Sequence, residues 1–167
     1  MATPPNRHII WPDRYHPSRC PVHVVNEWRI QARAETVWAW LTRAALWPTW
    51  YDNSQHVLSL GEHPFGDLAL GSQFQWKTFG VGIRSEVLEF VPHERLAWNA
   101  TGFGVDAYHA WLLTPQVDHC HVLTEETQTG WGARLMHFLR PHRMSDGHDL
   151  WLKSLDIVAR RGEPPQL

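Results

Sequence analysis

Residues 107–130 read AYHAWLLTPQVDHCHVLTEETQTG, and the fold follows from how this stretch is paired. Two β-rich runs, about 106–114 and 120–129, flank a short polar connection, the signature of an antiparallel hairpin. A turn about Val117 and Asp118 sets Leu113 opposite Val122, Trp111 opposite Thr124 and His109 opposite Glu126. Side chains alternate with period two, so all three pairs project from one face. That face carries Trp111 and Leu113 and is expected to be the concave one. A slip of one residue would put Glu125 inside instead, and the sequence leaves both registers open.

Strand-like segments precede this hairpin at roughly 73–79, 83–91 and 95–101, broken near Gly80, Gly82, Pro92, Gly102 and Gly104. Connections this short imply antiparallel neighbours. Phe74 and Trp76 share one face of the first segment, and Leu96 and Trp98 share a face of the third. Further upstream, VHVVNEWRI (22–30) reads as a strand and ARAETVWAWLT (32–42) as a helix. Pro48 then forces a turn or a second short helix, and GEHPFGDLALGS (61–72) reads as a loop. Downstream, Gly130 and Gly132 end the sheet. The chain turns helical, breaks at Pro141 and resumes near Ser145, a candidate N-cap. In this last helix His148, Trp151, Leu152, Leu155, Val158 and Ala159 form one stripe, with Asp149, Lys153, Asp156 and Arg160 facing away. The stripe needs a partner, and the sheet supplies it. The expected fold class is α+β, with a curved antiparallel sheet of six to seven strands around a long C-terminal helix and two short helices after the first strand.

This layout resembles the helix-grip fold of the START-like, or SRPBCC, superfamily, in particular its polyketide cyclase/dehydrase-like branch. The resemblance covers about residues 22–161. It is carried by IQARAETVWAWLTRAALWPTWY, EVLEFVPHERLAWNATG and AYHAWLLTP followed by HVLTEETQTG. Pro92 to Trp98 is similar to the family's proline turn and Leu-x-Trp strand. His109, Trp111 and Leu113 match its His-x-aromatic-x-apolar strand, and Glu126 and Gly130 its Glu-x-x-x-Gly ending. The chain departs from the pattern at Gln128, where the family often has an aromatic, and in its Pro-rich start. The resemblance implies a container between sheet and helix. What such containers hold differs among lipid carriers, hormone receptors, cyclases, hydrolase-like enzymes and chaperone co-factors.

Size and composition agree with one domain. The chain has 167 residues, 43% hydrophobic and 19% charged, with a net charge of −2. That balance excludes a disordered chain and gives no electrostatic case for nucleic acid or an anionic membrane. Residues 1–21, with five prolines, form an arm that can bury Ile9, Ile10 and Trp11 on its own domain or build a homodimer with a second subunit. Residues 22–162 form the domain and 163–167 a tail. Cys20 and Cys120 are too few for a disulfide framework. No segment reads as a signal or membrane span, and a cytoplasmic protein is the expectation.

Eleven tryptophans are the compositional outlier. Trp76, Trp98, Trp111 and Trp151, with Leu155 and the polar Gln128, are the expected ligand-binding wall, although for any single Trp core filling is the simpler reading. His109 and Glu126 are the candidate catalytic pair. A buried imidazole–carboxylate pair can act as acid and base, or can simply hold two strands in register. His119-Cys120-His121 is the tightest histidine cluster, but a zinc site needs two more ligands, so neither metal nor cofactor is expected. His137, His142 and His148 crowd the last helix start, where they can line the pocket mouth, and read most simply as surface groups. No nucleophile elbow surrounds Ser85, Ser145 or Ser154, and no phosphate loop is present. The expected function is binding of a hydrophobic small molecule, lipid-like or aromatic. The alternatives are a cyclase-, dehydratase- or hydrolase-like enzyme using His109 and Glu126, and a protein-interaction module.

Overall fold

A computed structural model of the chain describes residues 8–61 and 66–166. Strand β1 (Val22–Ile30) leads into helix α1 (Ala34–Thr42) and a 3-10 helix (Ala44–Thr49) that contains Pro48. Six strands follow: β2 (Ser54–Ser59), β3 (Gln73–Thr78), β4 (Val81–Val91), β5 (Arg95–Gly102), β6 (Val105–Pro115) and β7 (Cys120–Thr129). Helix α2 (Trp131–Leu139) and the long α3 (Arg143–Ala159) complete the order. The seven strands form one antiparallel sheet, β1-β7-β6-β5-β4-β3-β2, so this is the helix-grip fold. β2 was not expected from the sequence. Of its residues only Val57 and Leu58 are strongly apolar, and it pairs along a single edge with a register shift between Gln55 and Leu58. No described helix is long and apolar enough to cross a membrane.

One face of the sheet receives α3. His148, Trp151, Leu152, Leu155, Val158 and Ala159 are all buried, as the helical stripe requires. Two local expectations need correction. α3 starts at Arg143, not at Ser145, whose hydroxyl and carbonyl instead accept from Asn26 Nδ2. Asp156 does not face away: it is buried, accepts the Gln31 amide at 2.8 Å and pairs with Arg160. Its carboxylate thus fixes the end of β1 to the last turns of the helix.

The other face is covered by the arm. Ile9 and Tyr15 pack with Ala97, Tyr108, Ala110 and Leu112. Tyr15 stacks on Tyr108 at 5.3 Å and its hydroxyl donates to Asp106. Covering both faces explains why β6 reads as a nearly unbroken apolar run rather than an alternation. Of the two destinations open to the arm, its described residues occupy their own domain. At the end of β7, Gly130 has φ +101°, and a Cβ there would collide with the Gly104 carbonyl. Only glycine suits that corner between sheet and α2.

Candidate functional site

The β6–β7 register is the one centred on Val117 and Asp118. Leu113 faces Val122, Trp111 faces Thr124 and His109 faces Glu126. Glu126 therefore points to the helix side, while Glu125 lies on the other face against His23, 2.7 Å away. Both His109 and Glu126 are buried.

The hydrogen bonds of the pair differ from the simplest expectation. Glu126 accepts from Gln128 Nε2 at 2.6 Å and from His148 Nε2, on α3, at 3.1 Å. His109 approaches the same carboxylate at 3.3 Å through Nδ1. Its Nε2 bonds Thr124 Oγ1 at 2.8 Å. With the Thr124 hydroxyl donating to the Ala110 carbonyl, its oxygen accepts from His109 Nε2–H. That leaves Nδ1 bare toward Glu126. His109 and His148 stack at 4.6 Å, 15° from parallel. One carboxylate is thus met by an imidazole from the sheet and another from the helix. The reading of His148 as a surface group is corrected: it belongs to this cluster.

Burial dominates the protonation of His109, pushing its pKa down to about 3, against the opposing pull of Glu126. Burial also works against the charge of Glu126. The hydrogen bond from His148, the neighbouring imidazoles and Gln128 together outweigh it, holding the carboxyl below its ordinary range. At neutral pH the cluster holds one carboxylate and a neutral His109.

The ligating atoms of His109, Glu126 and His148 lie within 4.8 Å of one another, a two-histidine, one-carboxylate set. A bound cation requires lone pairs converging on one point at about 2.0–2.1 Å. Two imidazoles stacked nearly parallel direct theirs along separate planes. As arranged, His148 hydrogen-bonds Glu126 while His109 faces it through a bare Nδ1, and the three do not form a cation cage.

A cavity of about 100 Å³ opens beside this cluster. Trp76, Trp98, Trp151, Ile83 and Ala107 form its apolar wall, and Glu126, Gln128, His109 and His148 its polar floor. The mouth is framed by Phe79, Met136, His137, Arg140 and Arg143. Arg143 donates to the Phe79 carbonyl at 2.9 Å and lies over its ring. The expected wall is therefore brought together at Trp76, Trp98, Gln128 and Trp151. Trp111 and Leu155 are not part of it: both are buried in the packed core outside the lining. Trp47 belongs to the same packed core. It sits fully buried against Phe74, Trp76, Trp98 and Trp151, with ring centroids 5.2–5.8 Å away, and fills the inner half of the grip. Tyr51 stacks on Trp151 at 4.4 Å and closes the same side. The free space is thereby displaced to the α2 end.

The chain matches the sequence pattern of the family described as polyketide cyclase / dehydrase and lipid transport over residues 21–142. It belongs to that family. Among curated proteins, none matches. A hypothetical protein from Helicobacter pylori, jhp0584, shares 29% identity and superposes with a TM-score of 0.85 over 95% of this chain and all of its own. An aromatase/cyclase, ZhuI, from Streptomyces sp. R1128 superposes at 0.70 with 14% identity, over 86% of this chain and 100% of that one. Norcoclaurine synthase from Thalictrum flavum superposes at 0.63 with 11% identity, over 82% and 92%. At such identities the last two show a shared fold. For this polyketide cyclase / dehydrase family member, fold and family support a role in binding hydrophobic ligands or in cyclase-like chemistry.

Proposed function

We propose that the chain binds a flat, apolar small molecule carrying a hydroxyl, in the cavity between the sheet, α2 and α3. The observation that carries this reading is the contrast inside the cavity: an aromatic wall and, at its floor, the carboxylate of Glu126. Apolar walls supply affinity, while a few fixed polar groups set orientation. A carboxylate accepts up to about four hydrogen bonds. Those from His148 and Gln128 leave capacity for a phenol or enol hydroxyl. Tryptophan quenching and thermal shift with naphthols and fatty acids test this. Saturable quenching with a raised melting temperature for the aromatic hydroxyl compounds is expected. A panel that neither quenches nor stabilises overturns the proposal.

A second reading, an acid/base enzyme, has its own support in the approach of His109 and His148 to one carboxylate. It requires that Glu126→Gln or His109→Ala abolish turnover of a bound substrate while the protein stays folded. Loss of stability alone would return both residues to a structural role.

A further inference from the structure

Helix α2 presents its apolar side to solvent. At about 100° per residue, Trp131, Leu135, Phe138 and Leu139 share one face. The opposite side carries Gly132 and Ala133, which are buried, and Met136 and Arg140, which frame the cavity. The outward residues are exposed to 60%, 48%, 82% and 60% respectively. Phe103, in the turn between β5 and β6, is exposed as well and meets the Trp131 ring edge to face at 5.2 Å. A helix that only closed a domain would turn these side chains inward. The result is a contiguous aromatic and aliphatic surface of the kind that marks an interaction site.

Charge selects the partner. Between Glu126 and Asp146 the chain has no acidic residue, and Arg134, Arg140 and Arg143 fall in that interval. Arg134 and Arg140 are exposed. The overall charge of −2 conceals this local cationic band. An apolar face with arginine at its border (Arg134) and on the other side of the helix (Arg140) is the pattern of a helix lying in a membrane interface, and an anionic leaflet attracts the arginines. A second copy of the same face, related by a two-fold axis, would set each arginine band against its counterpart. We propose that α2 and the Phe103 turn dock on an anionic bilayer surface. Met136, His137 and Arg140 belong to the same helix and frame the mouth. They lie on the side of the helix away from the docked residues, so docking leaves the mouth uncovered. The docking does not depend on which guest the cavity takes, because vesicle binding and guest binding are separate measurements.

The test is flotation of the full chain with phosphatidylcholine vesicles, with and without about 30% phosphatidylglycerol. Binding to the anionic vesicles is expected. Phe138→Asp should weaken it by about tenfold or more, the scale of one lost buried aromatic. Leu139→Ser should weaken it in the same direction. Arg134→Glu should weaken it by a similar factor on anionic vesicles and change nothing on phosphatidylcholine alone. All three side chains are exposed, so circular dichroism of the variants should match the parent. Absence of flotation with anionic vesicles overturns the proposal, as does flotation undiminished in Phe138→Asp. A concentration-dependent dimer abolished by Phe138→Asp, without vesicle binding, overturns it in favour of a second copy.

Discussion

Replacing Glu126 by Gln keeps the side chain's shape and removes its charge, and the neighbours dictate the consequence. Glu126 accepts from both Gln128 and His148. A glutamine at 126 has one acceptor oxygen and one donor NH2, so it satisfies one of those donors and opposes the other. His148 can move its proton to Nδ1 and accept from the new amide. But Nδ1 is buried without a partner among the described residues, so its N–H would be orphaned. A buried unsatisfied donor costs about 1–3 kcal/mol, and a hydrogen bond to a charged group contributes about 1.5–3 kcal/mol. Removing the carboxylate also removes its own desolvation cost, which offsets part of the loss. A net destabilisation of about 2 kcal/mol is expected. With an unfolding slope of about 2 kcal/mol per molar urea, the midpoint at neutral pH should fall by about 1 M. The folded-state pKa of Glu126 lies below its ordinary 4.5. Its stabilisation is therefore complete above that value and lost as pH falls through the folded one. The gap between parent and variant should accordingly be equal at about pH 6 and pH 8. An unchanged or raised midpoint would refute the claim that His148 and Gln128 hold the carboxylate.

Three further outcomes are expected. His109 stays neutral in the folded state down to about 3, whereas the unfolded chain protonates it below 6.5. Stability should decline as pH falls from 6.5, by at most about 1.4 kcal/mol per pH unit from this group, and His109→Phe should remove that slope. Urea melts at neutral and mildly acidic pH check this, and a flat parent profile contradicts it. Trp47→Ala should cost about 3–5 kcal/mol and collapse the near-ultraviolet circular dichroism of the ring cluster, whereas a cost below about 1 kcal/mol would mean that Trp47 does not anchor it. Gly130→Ala should lower the melting temperature, since φ +101° and the Gly104 carbonyl both oppose a Cβ. An unchanged value would show that the corner can rearrange.

What the sequence disclosed followed from periodicity. The turn at Val117 and Asp118 determined which of Glu125 and Glu126 meets His109, because side chains alternate strictly along a strand. The α3 stripe was legible for the same reason. Interactions set by tertiary placement were not. His148 was visible on the stripe, but its meeting with Glu126 depends on how far α3 slides along the sheet. Asp156 reads as a solvent-facing helical acid, and only its position beside the Gln31 amide shows otherwise. Trp47 follows no periodic pattern around Pro48, so nothing marked it as the residue that packs against Trp76, Trp98 and Trp151. The outward stripe of α2 is not legible in the sequence, because amphipathicity reveals an apolar face without revealing which way it turns.

The most direct test of the cavity as a binding site is a crystal structure of the protein soaked with a naphthol. The account predicts the rings seated between Trp76, Trp98 and Trp151, with the hydroxyl within hydrogen-bond distance of Glu126. A naphthol found only on the outer face of α2, or a cavity that stays empty beside saturating naphthol, would contradict it.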